Sequence, residues 1–399
     1  MVLLAGAGSV LARTTATWVI TGVGVPVLLW AYRPRSLLVV ALALAAVIAP
    51  QVPRSLALAG DAGSQRAAHD GGVHVTGAAA EALLEGQNPY EVSYRGALPD
   101  AWTSLEVGED SFPNPVVDHM PYLPAAFLVA VPGVALEGLT GVGGDTRWTM
   151  GLLVLAALVV VARRPERPWA RAATIVAFGS SFAAIYAAWG TNDVAAAALV
   201  GLAALGAARH PAWAAAALVL AVSYKAPLVV GLVPWSVWVV QREGWRGLAR
   251  WWPLPVGLAL TMVPFLLWSP GPFVDDTVGF WSGTTAGSFP ASGLGLGFRA
   301  PGLMTGAPGA AITLGAAAVG LVAAVALVRR APHPAVLAVA AAVALLGVLV
   351  PARTFQPNYL ALVTGLLAFG WLAVDAPGRD RGPRPSPSDA GSGDLLSTG

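Results

Sequence analysis

The residues best suited to chemistry lie in one polar stretch, HDGGVHVTGAAAEALLEGQNPYEVSY, at positions 69–94. Within it, Asp70 stands between His69 and two glycines, a polar and flexible setting in which a carboxylate can meet a ligand. Asp61 and Asp118 are alternative carboxylates in the same part of the chain. Each of the three also suits a solvated loop acid or a turn, so the type of residue alone does not assign a role.

The run GAAAEALLEG places Ala and Leu at helical spacing, with Glu81 and Glu85 one turn apart. This pattern predicts a short amphipathic helix over 78–85 that lies on a membrane surface and is stopped by Gly86. The following GQNPY then turns the chain.

Cations that could hold an anion are few. Lys225 is the only lysine in the chain and lies between two apolar segments beside Pro227. Charges inside or at the edge of a membrane are functional candidates, although a lysine there can also extend its ammonium to the interface. Arg353 and Arg299 are further candidates, and Asp193 in GTND suits either a ligand or the cap of the following helix.

The sequence gives little support for a metal or a cofactor. His69, His74 and His119 lie in the same region as Asp70 and Asp118, but the HDxxxH spacing differs from the i, i+4 pair of a helical zinc motif. The GLGLG run at 293–297 lacks the spacing of a dinucleotide motif, and no phosphate-binding GxxxxGK[ST] occurs. We therefore predict no cofactor, and a divalent metal held by these histidines and carboxylates is an alternative that we do not favour.

Composition excludes ordinary soluble enzymes. Of the 399 residues, 56% are hydrophobic and 11% are charged, and the mean hydropathy is +0.67. These values predict an all-α polytopic membrane protein. The net charge of +2 is too small to indicate nucleic-acid binding.

Apolar runs predict about eleven transmembrane helices. They lie near 15–31, 37–56, 146–162, 171–188, 193–207, 211–224, 226–241, 252–269, 310–328, 333–350 and 358–374. Residues 1–374 form a single domain, and the polar 375–399 is predicted to be a disordered cytoplasmic tail. Segment 122–138 is long enough to cross, but we expect a re-entrant or surface-lying hairpin broken at Pro132-Gly133.

Charge predicts the orientation. Residues 57–120 carry ten acids and two bases, a net charge of −8, which leaves +10 for the rest of the chain. Most of these bases lie in short connections, which are normally cytoplasmic. The long loops at about 57–145 and 270–309 are therefore predicted to be extracytoplasmic.

A carboxylate early in the first outer loop, then AAEALLEGQNPY at 79–90 and Tyr122-Leu123-Pro124, resembles polyprenyl-phosphate-dependent glycosyltransferases of the GT-C superfamily. Within it, the pattern is similar to glycosyltransferase family 87, the actinobacterial mannosyltransferase group. Short polar islands extend the resemblance over most of the chain: DTRW at 145–148, GTND at 190–193, SYKAP at 223–227, WSPGPFVDD at 268–276 and RTFQPNY at 353–359.

The resemblance implies a GT-C-type helix bundle in the plasma membrane that transfers a sugar, mannose in that family, from a polyprenyl phosphate to a hydroxyl of a lipid or glycan. It implies inversion, an extracytoplasmic site, and Asp70, or else Asp61 or Asp118, as general base. A carboxylate can take the proton of the attacking hydroxyl, and Arg or Lys can stabilise the phosphate leaving group. The implied phosphate ligands are Lys225, Arg353 and Arg299, and the implied substrate-binding residues are Asn88, Tyr90, His119, Tyr122 and Asp193.

The main alternative is a polytopic transporter or lipid flippase without glycosyl transfer. The predicted spans contain almost no charge with which to build a pathway, and no paired halves are evident. Polar residues collect instead in loops on one predicted face. This distribution favours a chemical site at one membrane surface.

Overall fold

The structure is a computed structural model that describes residues 68–374, apart from 108, 141–144, 167, 180–182, 184–185, 188, 286 and 332. The first two expected spans, Asp61 and the 375–399 tail lie outside the described residues. The described part is mostly helical.

The first long loop is folded. A π-helical turn, Asp70–Val75, leads into α1 (Thr76–Leu84), and Gly86 follows with a φ of +76°. The predicted short helix is confirmed, and the glycine just beyond its last turn adopts the left-handed conformation that stops a helix. The position of this helix on a membrane surface stays a prediction. Farther on, β1 (Ser104–Val107) and β2 (Asp110–Pro113) form an antiparallel hairpin.

Segment 122–138 is broken, but not where we predicted. It forms α2 (Ala125–Leu128) and α3 (Val131–Thr140), so the interruption lies at residues 129–130 and not at Pro132-Gly133. Proline is tolerated in the first turn of a helix because the N–H group it lacks has no helical partner there. Helix α3 packs against α1, and the absence of a membrane crossing here stays a prediction.

Helices overlap each of the later expected spans, although within 171–188 the described helix ends at Phe178. They are α4 (Arg147–Ala162), α5 (Pro168–Phe178), α6 (Asp193–Gly206), α7 (Pro211–Tyr224), α8 (Leu232–Glu243) and α9 (Pro253–Trp268). The second long loop contains α10 (Pro270–Val274), α11 (Phe280–Ser282), β3 (Ser292–Gly293) and α12 (Leu296–Arg299). The last part of the described chain consists of α13 (Gly306–Arg330), α14 (Val336–Leu349), β4 (Thr354–Phe355), α15 (Asn358–Ala368) and α16 (Gly370–Val374). Short 3-10 segments, Ala226–Gly231 and Trp245–Trp251, precede α8 and α9.

Helix α6 is the centre of the core. All but two of its residues are buried, and it packs against α4, α7 and α15. Small side chains allow this close approach: a Cβ built on Gly201 would lie 1.9 Å from the Phe369 ring. Because α6 is buried from its first residue, the polar residues at its N-terminus lie inside the protein.

Among the described residues, α13 is the helix that is long and apolar enough to cross a membrane unaided. Segment Trp245–Trp251 and α9 also qualify if the pair, bent by 42°, is counted as one span. The other apolar helices are shorter than the roughly 20 residues that a straight crossing needs. The number of spans and the sides on which the loops lie stay predictions.

Candidate functional site

The Asp70 carboxylate is buried and held in one orientation. Only 6% of the residue is exposed. Its Oδ1 accepts a hydrogen bond from the Gly71 backbone N–H at 2.7 Å, and its Oδ2 accepts one from Asn114 Nδ2 at 2.8 Å. The Asn114 amide also donates to the Trp102 carbonyl at 2.8 Å. Asp70 is therefore buried within the π-helical turn and in contact with Asn114. It is not the solvated loop acid that its sequence context also suited.

Tyr122 lies directly against the Asp70 turn. A Cβ built on Gly71 would come within 2.6 Å of the Tyr122 hydroxyl, so only glycine fits beneath this ring. Burial raises the pKa of Tyr122, and the negative charges of Asp70 and Asp193 raise it further. The phenol therefore stays a neutral hydrogen-bond donor at physiological pH.

His69, the residue before Asp70, is also held in one orientation. Its Nδ1 accepts a hydrogen bond from the Gly72 N–H at 2.8 Å, which places the proton of the neutral ring on Nε2. The ring meets Trp189 edge to face, with centroids 5.1 Å apart. Burial lowers the pKa of His69 against the opposing charge of Asp70, which favours the neutral imidazole.

A second buried polar cluster surrounds Lys225. Its Nζ lies 2.9 Å from Asp193 Oδ1, donates to Asn192 Oδ1 at 3.0 Å, and sits 4.2 Å from the centroid of the Tyr359 ring. Asn358 Nδ2 donates to the other Asp193 oxygen at 2.6 Å. The lysine is therefore neutralised inside the protein and does not extend to an interface. A phosphate bound here would compete with Asp193.

Two backbone segments bring these clusters together. A Cβ on Gly72 would lie 2.1 Å from the Gly190 carbonyl oxygen, so the HDGG and GTND segments touch main chain to main chain. Gly190 has a φ of +86°, a conformation that glycine adopts readily. The start of the polar stretch 69–94 and the polar island 190–193 are thus parts of one structural unit.

His119 belongs to a third buried cluster. Its Nδ1 lies 2.5 Å from Asp276 Oδ1, and the Met120 N–H donates to Asp276 Oδ2 at 2.7 Å. The indole of Trp281 donates to the Pro121 carbonyl at 2.8 Å. These contacts fasten the second long loop to the segment that carries Tyr122.

The two candidate arginines differ. Arg299 is exposed, and its Nε donates to the Gly293 carbonyl at 2.9 Å. Arg353 is partly buried, and its Nη1 is buried without a hydrogen-bond partner in the described part of the chain. Of the two, only Arg353 has a buried guanidinium nitrogen that lacks a hydrogen-bond partner among the described residues.

Three other candidates make structural contacts. The Asn88 side chain accepts from the Tyr90 N–H at 3.1 Å, which forms the predicted turn. The Tyr90 hydroxyl donates to the Tyr122 carbonyl at 2.9 Å, and its ring packs among Phe127, Phe265 and Phe273. Asp118 is exposed and accepts from the Ser93 hydroxyl at 3.0 Å, away from Asp70.

Sequence reasoning missed the partners of the charged groups. These are Asn114, Asn192, Asp276 and Asn358. Three of them lie in the polar islands GTND, WSPGPFVDD and RTFQPNY, so the islands themselves were the available signal. Asn114 stands between two prolines outside any island and gave none.

No protein-family model and no curated protein matches this sequence. Among solved structures, the chain is similar to ArnT from Cupriavidus metallidurans bound to undecaprenyl phosphate, with a TM-score of 0.45 and 18% sequence identity. The match covers 83% of this chain and 60% of that chain, so this chain spans less than two thirds of the length of ArnT.

Proposed function

We propose that this protein is an integral membrane glycosyltransferase that moves a sugar from a polyprenyl-phosphate donor to a hydroxyl of a lipid or glycan acceptor. The reaction takes place on the extracytoplasmic face and inverts the anomeric centre, with Asp70 as the general base. The observation that carries the proposal is the buried Asp70 carboxylate, which hydrogen bonds from Gly71 and Asn114 hold in one orientation.

The hydrogen bonds of Asp70 leave some acceptor sites of its carboxylate unused. An ionised carboxylate has about four acceptor sites, and Gly71 and Asn114 occupy one on each oxygen. A remaining lone pair can take the proton of an attacking sugar hydroxyl, which is otherwise a poor nucleophile. A single displacement of this kind needs one base and inverts the attacked carbon.

The leaving phosphate needs a cation, and Arg353 is the best supported candidate. A guanidinium presents a planar set of donors that matches phosphate oxygens. Lys225 stays a candidate, but its ammonium is already paired with Asp193. Arg299 is the weakest of the three because it is exposed and bound to a backbone carbonyl.

The outer surface of the helices supports a lipid environment. Leu260 on α9 and Leu314, Val319 and Val322 on α13 are each 69–71% exposed. Large apolar side chains exposed at the surface are typical of contact with a partner or a membrane. A chain that lies in a membrane has access to a lipid-linked donor.

The test is sugar transfer by the full chain in liposomes, with labelled polyprenyl-phosphate mannose as donor and an envelope lipid extract as acceptor. Asp70→Asn keeps the shape of the side chain and should lower turnover by about 10²- to 10⁴-fold. Asp118→Asn is the matched control and should retain activity. Normal turnover by folded Asp70→Asn protein would overturn the assignment of the base, and movement of the lipid across the bilayer without transfer would favour a flippase.

A further inference from the structure

Arg353 has no counter-charge among the residues that the structure describes. In the part of the chain that the structure describes, no carboxylate lies within ion-pair distance of its guanidinium, and the buried Nη1 has no acceptor. Leaving a buried charged donor unsatisfied is expensive. A bound anion would supply the missing acceptor.

The guanidinium lies against the backbone of Gly283. A Cβ built on this glycine would be 2.0 Å from Arg353 Nη1 and 2.5 Å from Cζ. Gly283 also has a φ of +82°, in the left-handed region. Both the space and the backbone conformation therefore require glycine at this position.

The backbone of Arg353 is held by the GLGLG segment that resembled no nucleotide motif. Strand β3 pairs in parallel with β4, and the Ser292 N–H donates to the Arg353 carbonyl at 3.0 Å. A Cβ on Gly295 would lie 2.0 Å from the Ala352 carbonyl oxygen, and one on Gly297 would lie 2.6 Å from Arg353 Cα. Alternate glycines thus let these two backbone segments pack against each other without intervening side chains.

We propose that Gly283 and the glycine-rich segment 293–297 are positioning residues that hold the Arg353 guanidinium ready for a phosphate monoester. Gly283 supplies a flat backbone surface beneath the guanidinium, and segment 293–297 fixes the main chain from which the side chain extends. The identity of the anion as the polyprenyl phosphate that leaves the sugar donor rests on the proposed function. The positioning of the guanidinium by these glycines rests only on the contacts of Arg353.

The test is binding of farnesyl phosphate, with uncharged farnesol for comparison, by the purified full chain in detergent, measured by titration calorimetry. The wild-type protein should prefer farnesyl phosphate. Gly283→Ala should weaken its binding by roughly 10- to 100-fold and leave farnesol binding unchanged, because the methyl group displaces the guanidinium. Gly306→Ala is the matched control: its φ of +59° gives similar backbone strain, but only Pro308 Cδ, at 3.9 Å, lies near the added Cβ.

A double mutant separates positioning from general disruption. Arg353→Gln should itself weaken phosphate binding, and adding Gly283→Ala should cause no further loss. Arg353→Lys keeps the charge but lacks the planar guanidinium, so it should bind farnesyl phosphate with intermediate affinity. This variant tests the role of Arg353 even if Gly283→Ala fails to fold. The proposal is overturned if the wild type binds both probes equally, if Gly283→Ala behaves like Gly306→Ala, or if the two losses multiply.

Sugar transfer in the same preparations distinguishes the two hypotheses. If the protein prefers farnesyl phosphate in a way that depends on Gly283 but transfers no sugar, the positioning role of Gly283 is kept and the transferase activity is rejected. If Gly283→Ala protein transfers sugar and binds farnesyl phosphate normally, only the positioning role is rejected.

Discussion

The Nζ atom of Lys225 lies 2.9 Å from Oδ1 of Asp193, and the two side chains are 7% and 0% exposed. The pair joins the end of α7 to the start of α6, and Asn358 ties the same carboxylate to α15. The only lysine of the chain therefore connects three helices.

Breaking this ion pair should destabilise the protein strongly. Lys225→Met leaves a buried carboxylate uncompensated, and such losses are typically about 3–5 kcal/mol. Lys225→Met with Asp193→Asn removes both charges and should recover much of that stability. Thermal unfolding of Lys225→Met, Asp193→Asn and the double mutant in detergent measures the coupling. Additive losses would show that the pair contributes nothing specific, and weaker donor use by a stable double mutant would support the phosphate role of Lys225.

Asn114 should matter for turnover more than for donor binding. Its amide fixes one oxygen of Asp70, so Asn114→Ala frees the carboxylate to rotate without removing it. Small misplacements of a catalytic group can lower rates by about 10²-fold. We expect kcat for sugar transfer to fall by 10- to 100-fold, as an order of magnitude, with little change in KM for the donor. A rise in KM at constant kcat would indicate instead that Asn114 contacts the donor.

The Glu166 cluster predicts a pH dependence of stability. Burial raises the pKa of Glu166, but hydrogen bonds from His333 and Arg164 outweigh it and lower the pKa to about 2. Because the folded pKa is depressed from its ordinary 4.5, the stabilisation is complete above that pH and is lost as the pH falls towards 2. Glu166→Gln should therefore lower the unfolding temperature at pH 7, and the difference from wild type should shrink at pH 3.

Glu243→Gln is the control for this experiment. Glu243 pairs with Arg250, whose side chain is 59% exposed, and surface pairs of this kind contribute little. A difference between Glu166→Gln and wild type that stays constant with pH would contradict the role of the carboxylate charge.

Single cysteines can test the predicted orientation, since the chain contains none. Ser111 on the exposed β2 strand and Arg246 in the Trp245–Trp251 segment are both exposed. In intact cells, Ser111→Cys protein should react with a membrane-impermeant thiol reagent, and Arg246→Cys protein should react only after permeabilisation. The reverse pattern would place the acidic loop in the cytoplasm.

Local pattern predicted the local structure well and the contacts poorly. The helix before Gly86 and the apolar helices follow from spacing and composition, which act over a few residues. The partners of Asp70 and of His119 lie 44 and 157 residues away, so no local pattern contains them. The break in segment 122–138 was misplaced because Pro132 suits the first turn of α3 as well as a break.

The contact between Gly72 and Gly190 limits how this site can change. A wall made of side chains can widen when those side chains change rotamer, but here the two main chains meet with nothing between them. In the transferase that we propose, a larger acceptor can be accommodated at this contact only if the whole Asp70 turn moves away from the start of α6. Substitutions designed to broaden acceptor size should instead target Tyr122, which packs against Gly71 and whose aromatic side chain can be shortened.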